Sequence, residues 1–416
     1  MKSAIRLLSG VLFALMVAVS AYAQDTLKIA FIDPLTGPPG LAGQLSYKHF
    51  QLFADEINAK GGVLGRKIEF VHFENRANPQ ESQIQEQKAV DAGIHIFVNG
   101  ISAAAAVSMV DFVERYNQRN PNNPVLLMNY GATDPVISNG KCSYWQTVWD
   151  ANTEMKTRAL AAFIKSKPEI KKVYLINQDY GTGQSVRVVA RAELKERRPD
   201  IDIVGDELIP LFKVNDFAPY IAKIRESGAD TVFTSNWGPD LALLVKAAGE
   251  SGLKLNWMTM FAAGPGGPLS LKQANVAPHT VYAIADGDAG VRYAPYRDLE
   301  RRYRAKFGSG LTIIWARAFN AMTQLVAIIN ETKSTNPKIL AEKLNSRKFQ
   351  SVVGGEAWIR AESNAVIQDL YISSFGPLGP GQEFDEANTG WGWRTEATIP
   401  AKDTVVPTTC KMVRPS

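Results

Sequence analysis

Ser102 stands at the head of a run of alanines in "NGISAAAA", and Thr133 sits in the small-residue corner "NYGATDP". Both segments follow apolar stretches that read as strands. Ile101, Ser102, Ala103 and Ala104 would let a ligand approach the N–H groups of a helix start. There the helix dipole favours an anion such as a carboxylate. Ala132 and Thr133 would add a neighbouring loop with a hydroxyl donor. The same residues would also make a helix N-cap at Ser102 and a plain turn over 131–135, and taken alone they do not choose between the two. Tyr180 in "NQDYGTGQ" and Trp237 in "TSNWGPD" are large rings next to Gly181 and Gly238. At loop tips they would close over an apolar ligand, each with a polar handle. Core or surface packing is the competing reading for both.

Other chemistries lack their residues. His49, His72, His95 and His279 show no metal-ligand spacing, and neither "HExxH" nor "GxSxG" occurs. "GGVLGRK" has the wrong spacing for a phosphate loop, and "GTGQSV" is half of a dinucleotide fingerprint. No nucleophile–base pair emerges. The expectation is a binding protein rather than an enzyme, with no metal and no cofactor.

The elements that must position these residues alternate strand and helix. "LKIAFID", "KIEFVHFE", "IHIFVNG" and "VLLMNY" are strands separated by amphipathic helices, which predicts a parallel sheet covered on both faces. The rhythm restarts after "SYWQTVWDAN" with "KKVYLINQ", "IDIVGDELI", "ADTVFTSN" and "LNWMTMF". After the strand "HTVYAIAD", two long helices follow in succession and would cover the first sheet; "SVVGGEAWI" and "VIQDLYISSF" are late strands. The reading is an α/β protein of two similar lobes, with crossings near 147–152, 280–285 and 355–365. Residues 24–149 plus 283–357 form the first lobe, and 150–282 plus 358–416 the second. Several connections make a hinge beside a cleft. The four candidate segments all fall where open α/β sheets bind ligands, beyond the carboxyl ends of their strands.

Residues 1–23 read as a cleaved secretory signal: Lys2 and Arg6, then "LLSGVLFALMVAVSA", then "AYA" before Gln24. The expected destination is the periplasm. Cys142 and Cys410 are the only two cysteines, and an oxidising compartment would join them in a disulfide. The net charge of +5 is scattered among acidic residues on helices such as "ELKERR", which speaks for solvated faces and against a nucleic-acid surface.

"TLKIAFIDPLTGPPG" followed by "FADEINAKGGVLGRKIEFVHFENRANP" resembles the branched-chain amino-acid-binding proteins of bacterial ABC importers. The similarity runs on through "GATDP", "NQDYGTGQS" and "AGESGLK". It implies the type I periplasmic binding protein fold: two Rossmann-like lobes with parallel sheets joined by a three-crossover hinge. It further implies a monomer that closes on a small-molecule ligand and delivers it to a membrane permease; a ligand sensor for a membrane receptor is the alternative role. The resemblance puts the ligand carboxylate at Ile101–Ala104 and at Ala132–Thr133, with Tyr180 and Trp237 against its side chain. Such proteins pair the ligand ammonium with a glutamate, and an ungapped reading sets Phe261 at that position. The ligand is therefore expected to be a branched-chain amino acid or a related hydrophobic carboxylate. The rival is an aromatic or other amine-free acid, unless Asp150, Asp179 or Asp286 serves an ammonium.

Overall fold

The structure, a computed structural model, describes residues 26–288, 290–308, 310 and 315–415. The signal expected over 1–23 lies outside them. The first lobe is wound from β1 (Leu27–Ile32), α1 (Gly40–Ala59), β2 (Ile68–Phe73), α2 (Pro79–Asp91), β3 (Ile96–Asn99), α3 (Ala103–Arg119), β4 (Leu126–Asn129) and β5 (Gln146–Val148). Every residue of β3 and β4 is buried, as parallel strands covered on both faces require. In α3 the buried stripe Ala106, Met109, Val110 and Val113 follows the helical period. The sheet order is β2-β1-β3-β4-β5, with Leu27 beside Ile68 and Ile29 beside Phe70.

The chain then passes into the second lobe: α4 (Thr153–Ile164), β6 (Lys172–Gln178), α5 (Gly181–Arg197), β7 (Asp202–Ile209), α6 (Ala218–Glu226), β8 (Thr231–Thr234), α7 (Gly238–Glu250), β9 (Asn256–Thr259), α8 (Gly267–Gln273) and β10 (Val281–Ala285). The order β7-β6-β8-β9-β10 repeats that of the first lobe. After β10 the chain returns as α9 (Ala294–Phe307), α10 (Ala316–Thr332) and α11 (Pro337–Leu344). The first two pack on α1, as their succession in sequence predicts. A small antiparallel sheet follows, made of β11 (Lys348–Gln350), β12 (Glu356–Ile359) and β13 (Val366–Ile367). Finally β14 (Leu370–Pro377) and β15 (Trp391–Ile399) extend the second sheet before α12 (Ala401–Thr404).

Three findings refine the sequence expectations. The larger sheet is mixed, because β14 and β15 add to its edge antiparallel. The crossings after the first fall later than their expected windows. β10 pairs with β9 and β14 as one strand, so a boundary at 283 would cut it, and one at 358 would cut β12. The late crossing comes from nonlocal pairing: Ala365 pairs with Val148, which keeps the segment before β13 against β5. The tail also leaves the second lobe. Thr408 donates its hydroxyl to the Ser138 carbonyl (3.1 Å), and Cys410 is disulfide-bonded to Cys142, with 5.8 Å between their Cα atoms.

Candidate functional site

The strand order of each sheet reverses beside its first strand, between β1 and β3 in one lobe and between β6 and β8 in the other. Crevices at such points are where open α/β sheets hold ligands. A cavity of about 340 Å³ lies between the lobes at both points. Ile101, Ser102, Ala103, Ala132 and Thr133 line it from the first lobe, and Tyr180, Trp237 and Phe261 from the second. Ala104 is not among the lining residues; its side chain is exposed.

On the first-lobe side the backbone is organised by two acidic or amide side chains. Asp33, at the end of β1, accepts from Asn99 Nδ2 (2.8 Å), Gly100 N–H (3.0 Å), Ile101 N–H (2.9 Å) and the Tyr130 hydroxyl (2.5 Å). Its complete burial pushes its pKa up to about 8. Gly100 is required because a Cβ there would lie 2.5 Å from the Tyr130 ring. The Ile101 N–H is thus committed to Asp33, and Ile101 offers the cavity its side chain. Ser102 acts as the N-cap: its hydroxyl accepts from Ala105 N–H (3.3 Å) and donates to the Ala77 carbonyl (3.2 Å). Among the described residues nothing accepts the N–H of Ser102, Ala103 or Ala104, the donors that every helix start leaves over. The "GATDP" corner is built the same way. Asn129 Oδ1 accepts from Gly131 N–H (3.0 Å) and Ala132 N–H (2.8 Å), leaving Thr133, whose carbonyl receives Thr153 N–H (2.9 Å) at the head of α4.

On the second-lobe side Tyr180 and Trp237 occupy equivalent places, each the residue before a helix, α5 and α7. Trp237 Nε1–H donates to the Tyr180 hydroxyl (3.1 Å), so the rings form one wall. Burial pushes the Tyr180 pKa up to about 12, which keeps the phenol neutral. Phe212 meets Trp237 edge-on at 4.7 Å.

The floor carries charges that the sequence reading did not single out. Lys156 on α4 and Arg317 on α10 are the only charged side chains among the described lining residues. Lys156 Nζ lies 2.8 Å from Asp150 Oδ2. Arg317 donates from Nη1 to Asp286 Oδ1 and from its backbone N–H to Oδ2, both at 2.6 Å, and its Nε lies 3.6 Å from Asp150 Oδ2. Burial works against the charge on Arg317, but Asp150 and Asp286 outweigh it and hold its pKa above the ordinary value. Two of the three aspartates considered for an ammonium, Asp150 and Asp286, are therefore engaged by cations of the chain itself. Asp179 is exposed, accepts from Gln184 Nε2 (2.8 Å) and does not line the cavity. Asp33 had a signal in sequence, an acid closing an otherwise apolar strand. Lys156 and Arg317 had none, since each reads as an ordinary helix cation.

The lobes touch on two sides of the cavity. A Cβ on Gly181 would lie 2.0 Å from Asp134 Oδ2, and one on Gly266 would lie 3.2 Å from Leu41 Cδ2. No group of three or more His, Cys, Asp or Glu among the described residues could hold a metal ion. No described helix is long and apolar enough to cross a membrane.

Two sheets of one winding order face a shared cavity across three crossings, the architecture of a two-lobed periplasmic binding protein. The chain belongs to the periplasmic binding protein family, whose profile matches residues 26–376. A Leu/Ile/Val-binding protein homolog 4 of Brucella abortus is 33% identical over 275 residues, a match that spans 65% of this chain and 65% of that relative's length. The leucine-, isoleucine-, valine-, threonine- and alanine-binding protein of Brucella ovis, solved in a closed conformation, superimposes with a TM-score of 0.83 at 25% identity. That alignment covers 94% of this chain and 100% of that one. A solute-binding protein of an ABC transporter from Rhodopseudomonas palustris, in complex with p-hydroxybenzoic acid, has a TM-score of 0.77 at 20% identity. It covers 91% of this chain and 98% of that one.

Proposed function

We propose that this protein is the periplasmic solute-binding component of an ABC importer. It captures a branched-chain amino acid or a related small hydrophobic carboxylate between its lobes and closes over it about the hinge. The observation that carries the reading is one cavity bounded by unaccepted N–H groups of α3 and the Thr133 corner on one lobe, and by the Tyr180–Trp237 wall and Phe261 on the other. The names of the Brucella relatives support it. Two or three charge-assisted hydrogen bonds of about 1.5–3 kcal/mol each, with about 1.5–3 kcal/mol for a buried apolar group, reach micromolar affinity after entropy costs. In this role the protein works as a monomer with a membrane permease as partner, performs no catalysis and binds no nucleic acid. Its lobes are the two sheet-centred bodies described above.

A second reading, an aromatic or other amine-free acid in the same role, is favoured by the absence of any carboxylate among the described lining residues. The p-hydroxybenzoic acid in the Rhodopseudomonas protein fits that reading. A thermal-shift titration of refolded, ligand-stripped protein against small amino acids and organic carboxylates tests the role. A true ligand at about 100 times its Kd raises stability by roughly 2.7 kcal/mol. A melt that no small carboxylate moves would remove the proposal.

A further inference from the structure

We propose that Lys156 is the specificity-determining residue of the cavity. Its ammonium pairs with Asp150 and stands in front of it, so the site takes carboxylates that carry no amine and turns away the matching α-amino acids. The inference rests on the reading of the interlobe cavity as the ligand site, and it deepens that reading.

An α-ammonium buried with its carboxylate needs an acceptor, because removing it from water without one is unfavourable. No acid lines the cavity among the described residues, and those behind its wall are held by groups of the chain itself. Asp286 has both oxygens taken by Arg317. Asp288 accepts from Ser373 and Thr395 and lies away from the cavity. Asp33 is enclosed by its four donors. Asp150 is the informative one. Its Oδ1 is buried without a hydrogen-bond partner, yet Asp150 does not line the cavity, whereas Lys156, ion-paired to its other oxygen, does. Both side chains of that pair are almost fully buried, at 2% and 1% exposure, so Lys156 has no competing route to water.

The lysine therefore stands between Asp150 and the ligand space. Its Nζ is also 5.7 Å from the centre of the Phe261 ring, so the ammonium faces an aromatic wall rather than a second acid. Lys156 and Arg317 both line the cavity as cations. Lys156 uses one of its three protons on Asp150, and Arg317 turns Nη1 to Asp286 and its buried Nε toward Asp150. Among the described lining residues a ligand carboxylate meets two cations, whereas a ligand ammonium meets two like charges and no carboxylate.

Calorimetry on the full mature chain with pairs sharing one carbon skeleton tests this: leucine against 4-methylpentanoate, and phenylalanine against 3-phenylpropanoate. The wild-type protein is expected to bind the deaminated member of at least one pair tenfold or more tighter. Lys156→Gln uncovers Asp150, and the ratio should move at least tenfold toward the amino acid, while Lys156→Arg should keep it. Amino acids that bind the wild type as well as their deaminated partners would overturn the inference and leave the ligand site standing. An unchanged ratio in Lys156→Gln would overturn it as well. If that variant fails to fold, the wild-type ratio and Lys156→Arg still decide. If no member of either pair binds, the cavity reading and the inference fall together.

Discussion

Asp33 is completely buried, and its carboxyl keeps a proton up to about pH 8 because burial outweighs the four donors around it. An aspartate in an unfolded chain loses that proton near 3.9. The folded state thus binds it more tightly, and the stability it contributes is complete below the unfolded value and lost as pH rises through about 8. His49 behaves oppositely. Stacked at 5.4 Å on Trp315 and donating from Nδ1 to the Leu45 carbonyl, it is buried, and its pKa falls to about 4. Its contribution is complete above 6.5 and lost as pH falls toward 4. The two slopes oppose each other between pH 4 and 6.5, and only that of Asp33 remains between 6.5 and 8. Over that upper window the wild type should lose on the order of 1–2 kcal/mol. Asp33→Asn removes the titrating proton while its amide oxygen keeps an acceptor for one of Gly100 and Ile101, and it should abolish the loss. Denaturant melts at pH 6.5 and 8 measure it, and parallel losses in both proteins would refute the assignment.

At the scale of elements, the lobes approach each other closely where Asp134, before the 3-10 turn at Pro135–Ser138, meets the first residue of α5. A carboxylate at a helix N-terminus is a favourable partner, and Gly181 leaves it room. Gly181→Ala replaces a poor helix former by a good one, so the unliganded protein should melt no lower. The added Cβ would sit 2.0 Å from Asp134 Oδ2 in the arrangement of the lobes described above. Affinity for whichever ligand binds the wild type should therefore fall tenfold or more, by equilibrium titration. An unaltered affinity would mean that the contact is absent from the bound state.

The elements that were legible in sequence were those whose pattern is local. β1 is apolar but for the exposed Lys28, β3 and β4 are apolar up to a closing asparagine, and α3 repeats its stripe at helical spacing. β15 was not anticipated, and β11 and β13 are three and two residues long, too short to show a pattern of their own; pairing with an adjacent strand in the chain defines all three. The candidate site divides the same way. Ser102, Thr133, Tyr180 and Trp237 were visible because loop ends after strands are marked by small residues and glycines. The Lys156–Asp150–Arg317–Asp286 cluster was invisible because the crossings, not any motif, bring its members together.

For the whole molecule, the three crossings are joined by a fourth connection, the disulfide from the Cys410 tail to the first-lobe loop at Cys142. It spans 268 residues of sequence, and in the chain-entropy account so long a loop gives a stabilisation near the top of the usual range of about 2–5 kcal/mol. Cys410→Ser should lower unfolding stability by that order in chemical denaturation, and reducing agent should do the same to the wild type but leave the variant unaffected. A variant as stable as the oxidised wild type would assign the bond no such weight.

That bond also changes what counts as one piece of this protein. Every element from α4 to α12 lies between the two cysteines, so the second lobe is threaded entirely on a covalent ring. A protease that nicks one surface loop of that lobe opens the ring without severing a fragment, and both new ends stay tethered to the first lobe. While the thiols remain oxidised, a single cut in the second lobe damages the receptor locally but cannot take it apart.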